Sequence, residues 1–181
     1  DAFMAIQSLV NEELILAGHD ISAGGLITTL LEMCFANKQG GIATDLNSIN
    51  EKDPVKLLFA ENPGVIIQVK NSDKSDVEKI LDKAGVGYVE IGHPISEREV
   101  VVKKDGRTRR FDIDKLRDIW YDASYRLDTK QSFNGMAKER FTNYKNQPLE
   151  HLFPSAFTGT LAQYGISADR RERTGIKAAI I

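Results

Sequence analysis

The strongest constraint on the fold is the run Val65-Ile66-Ile67-Gln68-Val69, set between the turn Asn62-Pro63-Gly64 and the capping-box pattern Ser75-Asp76-Val77-Glu78. The apolar run after a turn reads as a strand. Val77, Ile80, Leu81 and Ala84 recur at helical spacing after the capping box, and Gly85 is placed to stop that helix. A further strand is predicted over Tyr88 to Ile91. A chain that switches from period two to period 3.6 and back must bury helices against a sheet.

The same alternation runs through the rest of the first 130 residues. Phe3, Ile6, Leu9 and Val10 predict an amphipathic helix from Ala2 to about Glu13, and Leu14 to Ala17 reads as a short buried strand. Leu26, Leu30, Met33 and Cys34 mark a helix from Gly25 that closes in Asn37-Lys38-Gln39-Gly40-Gly41. Ile42 to Leu46 is a strand candidate, and Pro54 is suited to open a helix over Val55 to Phe59. Asp105-Gly106, between Val100-Val101-Val102 and Arg107 to Phe111, is a hairpin signal because the dipeptide accepts the positive φ of a type I′ turn. Ile113, Leu116, Trp120, Ala123 and Leu127 then line one face of a long helix. The expected fold class is therefore α/β, a mixed-sheet sandwich.

Composition narrows the partners. Twenty-four basic against 26 acidic residues leave a net charge of −2, which gives no general reason to expect nucleic acid or an anionic membrane. No apolar run approaches the roughly 18 residues of a membrane span, and no secretory signal is visible. The single cysteine, Cys34, excludes an internal disulfide framework and fits a reducing compartment, hence a cytoplasmic location. Its apolar helix favours a core role over a nucleophilic one. The chain begins without an initiator Met, which reads as a piece excised from a longer protein.

The densest chemistry lies in His19-Asp20-Ile21-Ser22-Ala23-Gly24-Gly25. If a strand ends before it and a helix starts near Gly24, the unpaired N–H groups of the first turn favour a phosphate, and the glycines let it approach. Asp20 supplies a hard oxygen for magnesium, which usually takes one or two carboxylates and borrows other ligands from a phosphate. Ser22 can bond the same phosphate, and His19 can orient Asp20 or donate to an anion. The same residues also make a tight turn with Ser22 as N-cap. The lysine of a Walker loop and the spacing of a dinucleotide fingerprint are both absent.

Other polar residues are weaker candidates. Glu61 beside Pro63-Gly64 reads as a solvated loop carboxylate or as a side chain facing a cleft. His93, followed by Pro94, reads as a turn residue, and His151 falls in a linker; neither has a partner at triad or metal spacing. Trp120, Tyr121 and Tyr125 read as core and helix surface.

After Leu127 the pattern changes. Lys130 to Gln147 is polar with few periodic apolar positions, and Pro148 to Gly165 carries aromatics without a period, which together suggest a wrapping linker. Asp169-Arg170-Arg171-Glu172-Arg173 reads as a solvated charge run rather than a phosphate patch. Ile176 to Ile181 looks like a buried strand.

Ala17-Gly18-His19-Asp20-Ile21-Ser22-Ala23-Gly24-Gly25-Leu26, with Leu31-Glu32-Met33, resembles the signature of the C-terminal half of the aminoimidazole ribonucleotide synthetase-like module, in the form it takes in the phosphoribosylformylglycinamidine synthase family. Leu58 to Val69 resembles a second block of that family, and Arg117 to Tyr125 sits where its large single-chain form carries a tryptophan-bearing helix. In that form the module occurs twice, and the second copy is followed by a linker and a glutaminase domain whose first strand resembles Lys177 to Ile181. The resemblance thus implies a synthetase-like C-terminal domain over 1–130, partly ferredoxin-like, a linker over 131–175 and the start of a glutaminase domain at 176–181.

The implied reaction is ATP-dependent conversion of formylglycinamide ribonucleotide and glutamine to the amidine in purine biosynthesis, with Mg2+ and ATP, or structurally bound ADP, as cofactors. Asp20 would be a metal ligand and Ser22, Gly24 and Gly25 nucleotide contacts. No residue of this chain would be catalytic, and the fragment alone would be inactive. Its partners would be the remaining synthetase and glutaminase domains of the same chain and small-molecule substrates. Many members carry aspartate after the motif serine, whereas this chain has Ala23 and lacks that carboxylate. Without the resemblance, a mixed sheet with a few helices equally suits a small-molecule-binding regulatory domain or a structural one.

Overall fold

A computed structural model describes residues 1–146 and 152–167, which fall into two compact units divided after Asn146. In the first unit the elements are α1 (Ala2–Asn11), β1 (Ala17–Ile21), α2 (Gly25–Phe35), β2 (Gly41–Asp45), α3 (Pro54–Phe59), β3 (Gly64–Gln68), α4 (Lys74–Lys83), β4 (Gly92–Ile95), β5 (Glu99–Lys104), β6 (Arg107–Asp112), α5 (Ile113–Gln131) and α6 (Met136–Asn143). The second unit, over its described residues, holds a 3-10 turn at Leu161–Tyr164 and a stacked pair, Phe153 and Phe157, 4.6 Å apart.

Two sheets organise the first unit. β1 and β3 form an antiparallel ribbon, and the other four strands follow the order β4-β2-β5-β6 with β2 and β5 parallel and the remaining pairs antiparallel. This is the expected mixed α/β class. The ribbon serves two cores. Ile21 and Ile66 pack on the larger one, built from Leu26, Leu30 and Cys34 of α2, Leu58, Val100, Val102 and Ile113. Ile67, with Val69 just beyond β3, packs on the smaller one, Ala5 and Leu9 of α1 against Val77 and Leu81 of α4.

Local chemistry accounts for several boundaries. Asp53 caps α3, its Oδ1 accepting from Val55 N–H at 2.9 Å, with Pro54 in the first turn. Asp105 and Gly106 adopt φ of 49° and 70°, so the β5–β6 hairpin turns as its sequence demands. Cys34 is buried, and that burial pushes its thiol up against the opposing pull of Arg98, as a core role requires.

Four expectations are corrected. The first strand is Ala17–Ile21 rather than Leu14 to Ala17: Leu14 and Ile15 pack on the α1/α4 core as a connector, while pairing with β3 selects the later residues. The Ser75 capping box is not used. A turn in which Asp73 N–H bonds Lys70 O at 3.0 Å already carries near-helical backbone into Lys74, so the helix begins before Ser75 can cap it. Tyr88 to Ile91 forms no strand, although Ile91 O accepts from Asp45 N–H at 2.8 Å, and the strand comes later, at Gly92–Ile95. His93 and Pro94 are consequently strand residues, opposite Ala43 and Ile42, and Pro94 is tolerated because β4 lies at the sheet edge.

The polar stretch after Leu127 is also more structured than its pattern suggests. α6 returns onto α5 through Tyr121, Tyr125 and Phe141, whose rings lie 4.6 and 5.9 Å apart in pairs. Buried Arg117 lies over Tyr144 at 3.6 Å and donates to Phe141 O at 3.0 Å. His151, the Asp169–Arg173 charge run and the Ile176–Ile181 segment lie outside the described residues.

Candidate functional site

The motif spans the end of β1 and the start of α2, so its members are set by two different elements. Asp20 stands in β1 opposite Val65, and His19 opposite Ile66. The Asp20 backbone is held on two sides: its carbonyl lies 2.8 Å from His19 Nδ1 and accepts from Thr29 Oγ1 at 3.2 Å. Its side chain is nonetheless 72% exposed, with Oδ1 3.5 Å from His19 Nδ1. A fixed backbone carrying an open carboxylate is the arrangement a metal ligand needs.

Ser22, Gly24 and Gly25 form the turn into α2. Ser22 is exposed and its carbonyl accepts from Gly25 N–H at 3.0 Å. Gly24 rather than Ser22 is the N-cap, at φ 84°. A Cβ at Gly25, φ 70°, would stand 2.7 Å from the Phe59 carbonyl carbon, so glycine here admits the end of α3. Glu61 is the residue whose role the sequence left open. Its Oε1 accepts from Gly24 N–H at 2.9 Å, placing a carboxylate at the positive end of α2.

One further site neighbour has no role in the sequence reading. Glu32 Oε2 lies 3.3 Å from His19 Nε2, and its Oε1 accepts from the Trp120 indole at 2.8 Å. Thr29 and Glu32 are three residues apart and so share one face of α2 toward β1. That spacing was the available signal.

Beside the motif, Ile6 and Val10 of α1, Ile15, and Gly18, Val65 and Ile67 of the ribbon line a cleft of roughly 340 Å³ that also reaches His19 and Asp20. The size and apolar lining suit part of a small ligand. Among the described residues no group of three or more His, Cys, Asp or Glu side chains converges in a way that could hold a metal, so a cation at Asp20 would need its other ligands from phosphate, water or elsewhere. No helix among them is long and apolar enough to cross a membrane.

Comparison with known proteins identifies the frame around this site. Residues 2–105 match the family model "AIR synthase related protein, C-terminal domain". A human protein named phosphoribosylformylglycinamidine synthase is 33% identical over 141 residues, covering 72% of this chain and 10% of its own. An Arabidopsis thaliana protein named as a probable phosphoribosylformylglycinamidine synthase, chloroplastic/mitochondrial, is 36% identical over 132 residues, with 72% and 9% covered. The chain thus spans about a tenth of the length of these relatives. Two Thermotoga maritima PurL structures, one complexed with ATP and one with FGAR, share the fold at TM-scores of 0.55 and 0.54. They are 19% and 21% identical, covering 62% of this chain and 20% of theirs.

Proposed function

The chain belongs to the AIR synthase related C-terminal domain family, and on that premise we propose that it forms one wall of a magnesium–nucleotide site in an ATP-dependent amidoligase of the phosphoribosylformylglycinamidine synthase type. The observation that carries this reading is the exposed Asp20 carboxylate on a backbone held by Thr29 and His19. Asp20 offers magnesium one hard oxygen, and Ser22, exposed at the turn, offers the nucleotide a hydroxyl. Gly24 and Gly25 keep that turn free of side chains. A phosphate drawn to the start of α2 meets Glu61 on the Gly24 N–H and must displace it or share a cation with it.

In the proposed reaction the amide oxygen of formylglycinamide ribonucleotide takes the γ-phosphoryl group of ATP. Ammonia from glutamine then attacks the activated carbon, and phosphate leaves with the original amide oxygen. Such chemistry depends on positioning and charge neutralisation, and magnesium would supply the neutralisation. This chain's part is to hold Asp20 and the turn in place. The remaining synthetase and glutaminase domains, as further parts of the same protein, would supply the other walls and the ammonia. The proposed compartment is the cytoplasm, in keeping with a free, buried Cys34.

The test is Asp20→Asn in the intact protein, with ATP binding followed by calorimetry at several magnesium concentrations. Loss of the magnesium-dependent part is expected, and unchanged binding would remove the site.

A further inference from the structure

We propose that Glu32 is a positioning residue for Asp20: it holds the His19 ring between α2 and β1 so that the Asp20 carboxylate faces outward, available to a cation. The inference rests on the magnesium–nucleotide reading of Asp20. Both nitrogens of His19 face oxygen atoms that can only accept. Nδ1 lies 2.8 Å from Asp20 O, and Nε2 lies 3.3 Å from Glu32 Oε2. The ring therefore lies between the two elements, with the α2 carboxylate beside one nitrogen and the β1 carbonyl beside the other.

Glu32 is itself held. Its other oxygen accepts from the Trp120 indole at 2.8 Å, and that indole is braced against Phe35 at 5.2 Å between ring centres. A carboxylate with one oxygen committed to a fixed donor presents its second oxygen in a fixed direction, as outer-shell partners of metal ligands do. Exposure rises along the series, from 23% for Glu32 through 31% for His19 to 72% for Asp20, so the one member open to a ligand is the last.

Without Glu32 the imidazole is free to turn fully onto the Asp20 carboxylate and compete with a cation for it. Removal of an outer-shell partner of this kind weakens metal affinity by about 10–100-fold.

The experiment compares Asp20→Asn, Glu32→Gln and Glu32→Asp in the intact protein, titrating ATP with and without Mg2+ and recording the thermal midpoint. Glu32→Gln is expected to weaken magnesium-dependent ATP binding by about 10–100-fold while magnesium-free binding and the midpoint stay put. Glu32→Asp, which keeps the charge, is expected to recover part of the loss and replaces Gln if that variant does not fold. The Trp120 indole N–H, bonded to Glu32 at 2.8 Å, gives a resonance that is assigned in the intact protein by its loss in Trp120→Phe and that reports on Glu32 directly. His19→Gln is expected to move it. Loss of binding in Asp20→Asn with none in Glu32→Gln overturns the positioning role and leaves the site standing. An indole resonance indifferent to His19→Gln likewise overturns it. No loss in Asp20→Asn overturns the site reading itself, and the positioning role with it.

Discussion

Two glycines with the same backbone angle show how differently single residues are constrained. Gly25 and Gly106 both sit at φ 70°, but a Cβ at Gly25 meets the backbone of Phe59 at 2.7 Å whereas one at Gly106 meets nothing within 4 Å. Gly106→Ala carries only left-handed strain, about 1 kcal/mol. Gly25→Ala adds displacement of α3 from the start of α2 and should cost roughly 2–4 kcal/mol in all. Urea unfolding of the two variants measures the difference, and equal losses would mean that α3 yields freely. Arg117 is a second such point. It is 6% exposed, its guanidinium lies over the Tyr144 ring at 3.6 Å, and it donates to Phe141 O. Arg117→Lys keeps the charge but loses the planar stack and the fork, and a destabilisation of about 2 kcal/mol is expected in the same assay.

Among the elements, α6 depends most on charge. Arg140 bonds both oxygens of Asp128 on α5, at 2.7 and 2.6 Å, and Tyr144 and Lys145 meet Asp114 at the other end of that helix. Arg140 and Ser132 hold the Asp128 carboxyl below its ordinary value, outweighing desolvation. Burial pushes Asp114 up, but Lys145, Arg98 and Tyr144 together outweigh it and also hold it low. Carboxyls lowered in the folded state contribute fully above the unfolded value, about 3.9, and lose that contribution as pH falls through their lower folded values. Hydrogen exchange at acid pH should therefore release the amides of α6 before those of α2; simultaneous release would show that α6 is held by its aromatic contacts instead.

What was legible at this scale follows the range of the cause. The Asp105-Gly106 turn and the start of α3 rest on neighbouring residues, and the sequence placed them correctly. β1 depends on pairing with β3 across more than forty residues, and the apolar run Leu14 to Ala17 signalled burial without signalling a ladder. α6 escaped notice because its helix is held by Arg117, the aromatic rings and ion pairs rather than by a continuous apolar stripe. At the site, Asp20 and the glycine turn were visible as a local motif. The contacts of Glu61 and Glu32 were not, since the fold brings the partner of Glu61 from 37 residues away and those of Glu32 from 13 and 88.

For the whole molecule, the proposed activity needs more than this chain provides. It carries one carboxylate of the proposed metal site and spans about a tenth of its curated relatives. Ammonia-dependent formation of the amidine is accordingly expected from the intact protein and absent from the purified chain, as followed by phosphate release; turnover by the chain alone would refute this division of labour. Pro94 has a bearing on how that chain behaves in solution. Strand β4 forms an outer margin of the four-stranded sheet, the kind of place where a second molecule's extended segment adds itself, and a proline there withholds one amide donor from such an intruder. The proline that follows His93 thus leaves this margin one donor poorer for pairing with another molecule.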